Sequence, residues 1–502
     1  VIRPLLLNSL WQLAGTRETN RFEAALARPE ETQQRLLGEL VRRNATTEFG
    51  REHGFPSVRT VEEYRSRVPI REYDDFLPWI RQIRQGRSGV LTTSPVTRLV
   101  PTGGSTGGRK LIPWTASLGR EFHRALAPWI VDTFRSDPEL KRGPAYWSVS
   151  PPPSGSGGDT PEAGTSGGPP IGFDGDSRYL GGPLGTLVRP ILAVPEGLGR
   201  GLDARAFQAQ VARRLLQCRE LRLISVWHPS FLLLLLDSAG IRDTQAAWPH
   251  LGLISCWTDA GAASSVAELR RRFPGVAIQG KGLLSTEAFS SIPFGGKRPL
   301  AVRSHFFEFL DGAGESHLAH EIREGGEYEL VVSTSGGLHR YRTHDRVQVT
   351  GRLGGTPTLR FLGRGDRTSD LRGEKLSDGF VQGVLDRLFG GNPAVRFALV
   401  APAAEAPVAG YTLFLEHDSP GENAREWIAE LDRLLAGNPQ YRYARELGQL
   451  TAPGLFLVRG GGHRAYLEAL AARGRRLGEI KPAALDPWPH WHSVFQGEQA
   501  PS

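Results

Sequence analysis

Pro-Thr-Gly-Gly-Ser-Thr-Gly-Gly-Arg-Lys, residues 101–110, follows a short apolar strand candidate at residues 97–100 and precedes a helical stretch at 116–134. Glycines let the backbone approach a phosphate closely and turn successive N–H groups toward it. Gly103, Gly104 and Gly107 supply that freedom; Thr102, Ser105 and Thr106 add neutral hydroxyls, and Lys110 adds a point charge. A glycine- and serine-rich run by itself also fits a flexible surface loop. The strand before it and the lysine after it favour the phosphate reading. It is not a Walker loop, because Leu111 follows Lys110 where Ser or Thr is required. Nor does it have the glycine order of a dinucleotide-binding turn.

Working outward, the N-terminal side is helical. Leu36, Leu37, Leu40 and Val41 recur at helical spacing within residues 31–42, and residues 61–65 and 73–85 continue the pattern. On the other side, apolar strand-like runs at 221–227, 251–257 and 276–279 alternate with helical runs starting at 231 and covering 265–273. That alternation predicts an α/β fold with a largely parallel sheet. Residues 301–310, 328–334, 346–350 and 358–362 read as further strands. Beyond Gly363 the pattern restarts with a helix at 379–389, strands at 397–400 and 411–416, and a helix at 424–435. The expectation is a large N-terminal α/β domain with mixed and parallel sheets, residues 1–365, and a small α+β domain, 366–502. Residues 151–170, dominated by Pro, Gly, Ser and Thr, read as a mobile surface loop.

A chain of 502 residues suits one large domain plus a smaller one. The formal charge of +8 is spread as single basic residues among acids instead of forming a block, which argues against a nucleic-acid partner. A basic surface does help attract a polyanion such as ATP. The longest apolar run, 231–236, is far too short for a membrane span, and no N-terminal segment has the build of a secretory signal. A cytoplasmic location is therefore expected, with Cys218 and Cys256 as free thiols. No zinc-type Cys/His spacing and no nucleophile elbow occurs.

Followed by Leu-Ile-Pro-Trp-Thr at 111–115, the glycine-rich run resembles the phosphate loop of the acyl-acid amido synthetases, the GH-three family within the adenylate-forming superfamily. Four more stretches resemble that family in the same order: Ser-Val-Trp-His-Pro-Ser-Phe-Leu-Leu-Leu-Leu at 225–235, Gln-Gly-Lys-Gly-Leu-Leu-Ser-Thr-Glu at 279–287, Gly-Gly-Leu-His-Arg-Tyr-Arg-Thr-His-Asp at 336–345, and Phe-Leu-Gly-Arg-Gly-Asp-Arg-Thr-Ser-Asp-Leu-Arg-Gly-Glu-Lys-Leu at 361–376. The resemblance implies an ATP- and Mg²⁺-dependent ligase. Such an enzyme adenylates a small carboxylic acid, releases pyrophosphate, and passes the acyl group to an amine, as the resemblance suggests an amino acid.

It also implies roles. Glu287 matches the acidic position assigned to Mg²⁺ and catalysis, with Ser285 and Thr286 beside the nucleotide. Asp345 matches the carboxylate that accepts from the ribose diol, which suits a group whose two oxygens both accept. Thr343–His344 departs from the pattern, which often has glycine before the aspartate. Tyr341 packs near the nucleotide or in the core. Arg364 matches a ribose-contacting arginine near the domain junction, with Asp366 at the hinge. Lys481 stands where the family carries its adenylation lysine, although the arginine that follows shortly after is absent. Trp147, Trp227, His228, Ser255 and Trp257 end predicted strands, where ligands bind in open α/β sheets, and form the candidate acyl pocket. Core packing is the alternative for each. An acyl-CoA ligase sharing the first half-reaction, or an inactive nucleotide-binding protein, are the competing functions.

Overall fold

The computed structural model describes residues 2–102, 110–148, 167–172, 189–195, 198, 204–259, 262–365, 368–369, 371–372, 374, 376–403, 409–419, 424–446, 449–473, 480 and 482–500. Gly103, Gly104, Ser105, Thr106, Gly107, Asp366, Lys481 and the run 151–166 lie outside them. Two compact units emerge. The first comprises Val1–Trp227, Leu235–Trp257 and Arg272–Phe361; the second comprises His228–Leu234, Thr258–Arg271 and Leu362–Ser502.

In the first unit six helices precede and follow the first strands: α1 (Ile2–Leu26), α2 (Pro29–Asn44), α3 (Glu48–Glu52), α4 (Val61–Arg67), α5 (Tyr73–Arg84) and α6 (Ala116–Ser136). Helix α2 carries Glu30 and Glu31 in its first turn and Arg42 and Arg43 in its last, each complementing the helix dipole. Thr60 and Glu63 form a capping box at α4, and the Thr115 hydroxyl caps α6. Helix α1 was not legible because it is apolar on two faces: Trp11 and Phe22 are buried while Ile2, Leu6, Leu10 and Leu13 are exposed. Gly15 lets α1 press on α6, since a Cβ there would lie 2.8 Å from Val131 Cγ2.

Strands β1 (Val96–Pro101) and β2 (Leu111–Thr115) form an antiparallel hairpin, and Thr102 N donates to Lys110 O at 2.9 Å. Both ends of the glycine-rich run are thereby pinned. Four parallel strands follow: β3 (Ala145–Trp147), β4 (Leu223–Ser225), β5 (Leu253–Cys256) and β6 (Ala277–Gly280). This is the parallel sheet that the α/β alternation predicts. Its register aligns Trp147, Ser225, Ser255 and Gln279, so these four side chains share one face.

A second sheet, ordered β11-β10-β9-β7-β8, contains β7 (Phe306–Leu310), β8 (Ser316–His317), β9 (Glu327–Ser333), β10 (Tyr341–Leu353) and β11 (Thr356–Arg364). The strand expected from residue 301 starts only at 306. A tight turn intervenes, in which Val302 N reaches Leu300 O and Ser304 N reaches Ala301 O, each at 2.7 Å.

Between β9 and β10 the chain is held by buried charge. Glu308, fully buried on β7, accepts from Arg340 Nε at 2.9 Å, Arg65 Nε at 2.9 Å and Ser316 Oγ at 2.7 Å. Arg340, itself left-handed at φ 53°, also donates to Val68 O at 2.8 Å. Two residues further on, the β9–β10 register shifts between Arg342 and Arg346. His344 in that bulge has φ 62°, a conformation that favours glycine. Its imidazole lies 2.5 Å from Glu72 and 3.1 Å from Glu329, which holds a histidine where the family pattern often has glycine.

The second unit has a four-stranded sheet, ordered β14-β15-β16-β17, from β14 (Val395–Pro402), β15 (Tyr411–His417), β16 (Gly454–Val458) and β17 (Gly497–Gln499). A small ladder of β12 (Thr368–Ser369) and β13 (Leu376–Ser377) precedes it. The helices Asp378–Phe389 and Ala424–Leu435 pack on its apolar core. Asp378 Oδ1 accepts from the backbone of Ala484 and Leu485 and ties the late segment down.

Two predictions follow from the bulge. His344→Gly relaxes the backbone while losing the imidazole bridge, so its stability changes by no more than ~1 kcal/mol; His344→Val forces a β-branched residue into the left-handed region and costs roughly 2–3 kcal/mol. Urea titration of both variants checks this, and equal stabilities would refute the strain argument. Glu329 is half-buried, which favours its neutral form, yet His344 and Arg342 together hold its pKa at about 2, below the ordinary 4.5. A depressed folded-state pKa adds stability above pH 4.5 that is lost as the pH falls toward 2. Thermal unfolding of Glu329→Gln therefore declines less steeply over that window, and its curve meets the wild-type curve at the acid end.

Candidate functional site

Lys110 leaves the hairpin at the start of β2, and its Nζ donates to the Tyr341 hydroxyl at 3.3 Å. The same ammonium lies 5.8 Å from the Tyr73 ring centre and 5.9 Å from that of Tyr341. Tyr73, at the start of α5, is fixed by its own hydroxyl, which accepts from Leu111 N at 2.6 Å. Burial raises the Tyr73 pKa, and the negative charge of Glu287 adds to the rise. Lys110, Tyr73, Tyr341 and Glu287 therefore form one neighbourhood at the foot of the glycine-rich run. Tyr341 is both core residue and site neighbour, being fully buried.

Glu287 is buried, as is Asp345. Ser285 spends its hydroxyl locally: Oγ donates to Ala288 O at 3.1 Å and accepts from Ala288 N at 3.2 Å. That turn presents Glu287, while Thr286 between them is half-buried. The Asp345 N–H donates to Thr343 Oγ1 at 3.1 Å, so the departing threonine shapes the approach to the aspartate. Thr102 Oγ1 is buried with no partner among the described residues, a donor and acceptor left for a ligand. Among the described residues no group of three His, Cys, Asp or Glu could hold a metal unaided. One buried carboxylate beside a lysine is the donor set that suits Mg²⁺ carried on phosphates.

The candidate acyl-pocket residues divide. Trp147, Trp227, Ser255 and Trp257 come together on the first unit; Trp227 and Trp257 rings are 5.6 Å apart, and Trp257 N donates to Trp227 O at 2.8 Å. His228 belongs to the second unit, where burial and the neighbouring His463 push its pKa well below the ordinary value. Arg364 ends β11, also in the second unit. Neither cysteine forms a disulfide; Cys256 is buried and Cys218 half-buried. No helix among the described residues is long and apolar enough to cross a membrane.

Sequence reasoning left out the centre of the tryptophan group. Lys281, just after β6, is 3% exposed, and its Nζ donates to Ser225 Oγ at 2.6 Å. Its Nζ lies 4.8 Å from the Trp227 ring centre, 5.4 Å from Trp129 and 5.7 Å from Trp147. Trp129 on α6 donates its Nε1–H to Gln279 Oε1 at 2.8 Å. Burial lowers the Lys281 pKa to about 7. The lysine is visible in the quoted motif, but nothing local says that it is buried. Tyr73, almost forty positions before Lys110, carried no signal at all.

Models of the GH3 family N-terminal, central and C-terminal domains match residues 18–244, 299–364 and 381–486. Indole-3-acetic acid-amido synthetase GH3.8 of Oryza sativa subsp. indica is 23% identical, covering 89% of this chain and 87% of its own. Indole-3-acetic acid-amido synthetase GH3.2 of Arabidopsis thaliana is 22% identical over 73% of this chain and 80% of its own. The solved structure of AtGH3.15 acyl acid amido synthetase in complex with 2,4-DB shares the fold, with a TM-score of 0.80 at 16% identity over 96% of this chain and 95% of that one. With all three domain models matched in order between residues 18 and 486, the chain belongs to the GH3 family.

Proposed function

We propose that the protein is an ATP-dependent acyl-acid amido synthetase. The observation that carries this is the convergence of Lys110, Tyr73, Tyr341 and Glu287 beside the glycine-rich run, in a chain matched along its length by GH3 domain models. In the first step a carboxylate oxygen of the acid attacks the α-phosphorus of ATP, and the bond to pyrophosphate breaks. In the second an amine nitrogen attacks the acyl carbon, loses a proton, and AMP leaves with its oxygen.

Two anions must meet in the first step, so positive charge fixed in advance is the main requirement. Lys110 supplies it, and the two tyrosine rings restrict where its ammonium can go. Glu287 is the protein ligand for Mg²⁺, which when bound draws charge from the phosphate oxygens. The Asp345 carboxylate takes the ribose hydroxyls. Thr102 and residues 103–107 cradle phosphate, Ser285 and Thr286 flank the nucleotide, Arg364 contacts ribose, and Lys481 brings a second cation to the α-phosphate. The aromatic set around Trp227 and Trp257 suits an aryl or indolic acid, in line with the acid named for the rice and Arabidopsis relatives. An amino acid is the amine that the motif resemblance implies, and an amide product agrees with the relatives' names. Two cysteines outside any disulfide and a need for ATP fit a cytoplasmic enzyme.

Pyrophosphate release with a panel of aryl and indolic acids, with and without mixed amino acids, tests this directly. Acid-dependent release that rises with an amino acid is expected; a rise with CoA alone would make the protein an acyl-CoA ligase. Glu287→Ala should lower kcat/KM for release on the order of a hundredfold. Asp345→Asn should act mainly by raising the KM for ATP. Unchanged release in both variants would remove these residues from the site.

A further inference from the structure

The proposed reaction leaves one buried cation without a task. Lys281 has no carboxylate within ion-pair distance among the described residues; its ammonium meets one hydroxyl, at 2.6 Å on Ser225, and three indole faces. An ammonium has three donors, so two remain unspent. Trp147 adds another: its Nε1–H is buried and has no partner among the described residues. Donors therefore outnumber acceptors in an aromatic cage. Hydrocarbon filling that cage would leave them buried and unpaired, which is costly. An oxygen acceptor on a flat ring would satisfy them. Trp147, Trp227 and Trp257 are only half-buried, so the cage keeps contact with solvent on that side.

The groups around Lys281 share no residue with those around Lys110. Lys281 and Lys110 are thus two separate cationic sites with different residues around each. Resting on the amido synthetase reading, we infer that Lys281 is the specificity-determining residue of the acyl pocket, selecting an aromatic acid with a second oxygen acceptor, a phenol or carboxylate oxygen, remote from the carboxylate that is activated. Trp129 and Gln279 are positioning residues, bonded to each other at 2.8 Å behind the lysine.

The test compares phenylacetate, 4-hydroxyphenylacetate and 4-carboxyphenylacetate on wild type, Lys281→Met and Lys281→Gln. Two readouts are taken: kcat/KM for pyrophosphate release, and equilibrium binding by calorimetry. In wild type the preferred substituted acid should exceed phenylacetate by about a hundredfold in kcat/KM, since a buried polar site rejects an analogue that cannot pair with it. Lys281→Met should bring that ratio close to one, and the pair of substituted acids tells phenol from carboxylate. A wild-type ratio near one, or a preference that survives in both variants, would overturn the assignment. Should no acid release pyrophosphate, binding still decides: discrimination by wild type that is lost in the variants upholds Lys281 and sinks the reaction, and its absence sinks Lys281. Lys281→Gln guards against a folding defect, because it keeps a donor of similar size.

Discussion

The carboxylate of Glu308 is out of water entirely, and the first unit is arranged to satisfy it. Two arginines and a serine hydroxyl converge on its oxygens, bringing together α4, β7, β8 and the start of β10. A buried charge of this kind is tolerated only when its partners are held in place, and removing one of them leaves the other charge stranded. Arg340 bears the geometric consequence. To reach Glu308 and the carbonyl of Val68 it adopts a left-handed backbone, and that sets the direction in which Tyr341 enters the sheet.

From Tyr341 onward one constraint leads to the next. The tyrosine hydroxyl receives Lys110, so the cation below the glycine-rich run is steered by a residue placed through Arg340. Three residues on, His344 lies in the register shift between Arg342 and Arg346, and Asp345 beside it keeps to the buried side of the strand with Tyr341, Thr343 and Val347. Glycine would make that turn without cost. A histidine makes it here because Glu72 and Glu329 hold the ring from two sides, so the local expense is offset by charge-assisted contacts. A second buried acid works in parallel: Glu121 on α6 accepts from Ser335 N at 2.9 Å and pairs with His305 at 3.0 Å, fixing the other end of the same connection.

The parallel sheet plays the matching part for the tryptophan cage. Its register puts Trp147, Ser225, Ser255 and Gln279 on one face, and α6 covers that face with Trp129. A lysine emerging at the end of β6 on that side is almost wholly covered. Its low pKa and its contact with Ser225 are consequences of strand order, not of its immediate neighbours in the chain.

Local chemistry carried much of the outcome by itself. The alternation of apolar runs and helices, the glycines before Lys110 and the ordered motifs were enough for an α/β fold and a family, and they single out Glu287, Asp345 and Lys110 as candidates, because these signals depend on residues close together in the chain. The register shift at His344, the burial of Lys281, the reach of Tyr73 to Lys110 and the membership of His228 in the second unit were decided only by tertiary structure. Each depends on which distant strand or helix lies alongside, and a charge has no environment until the chain has closed around it.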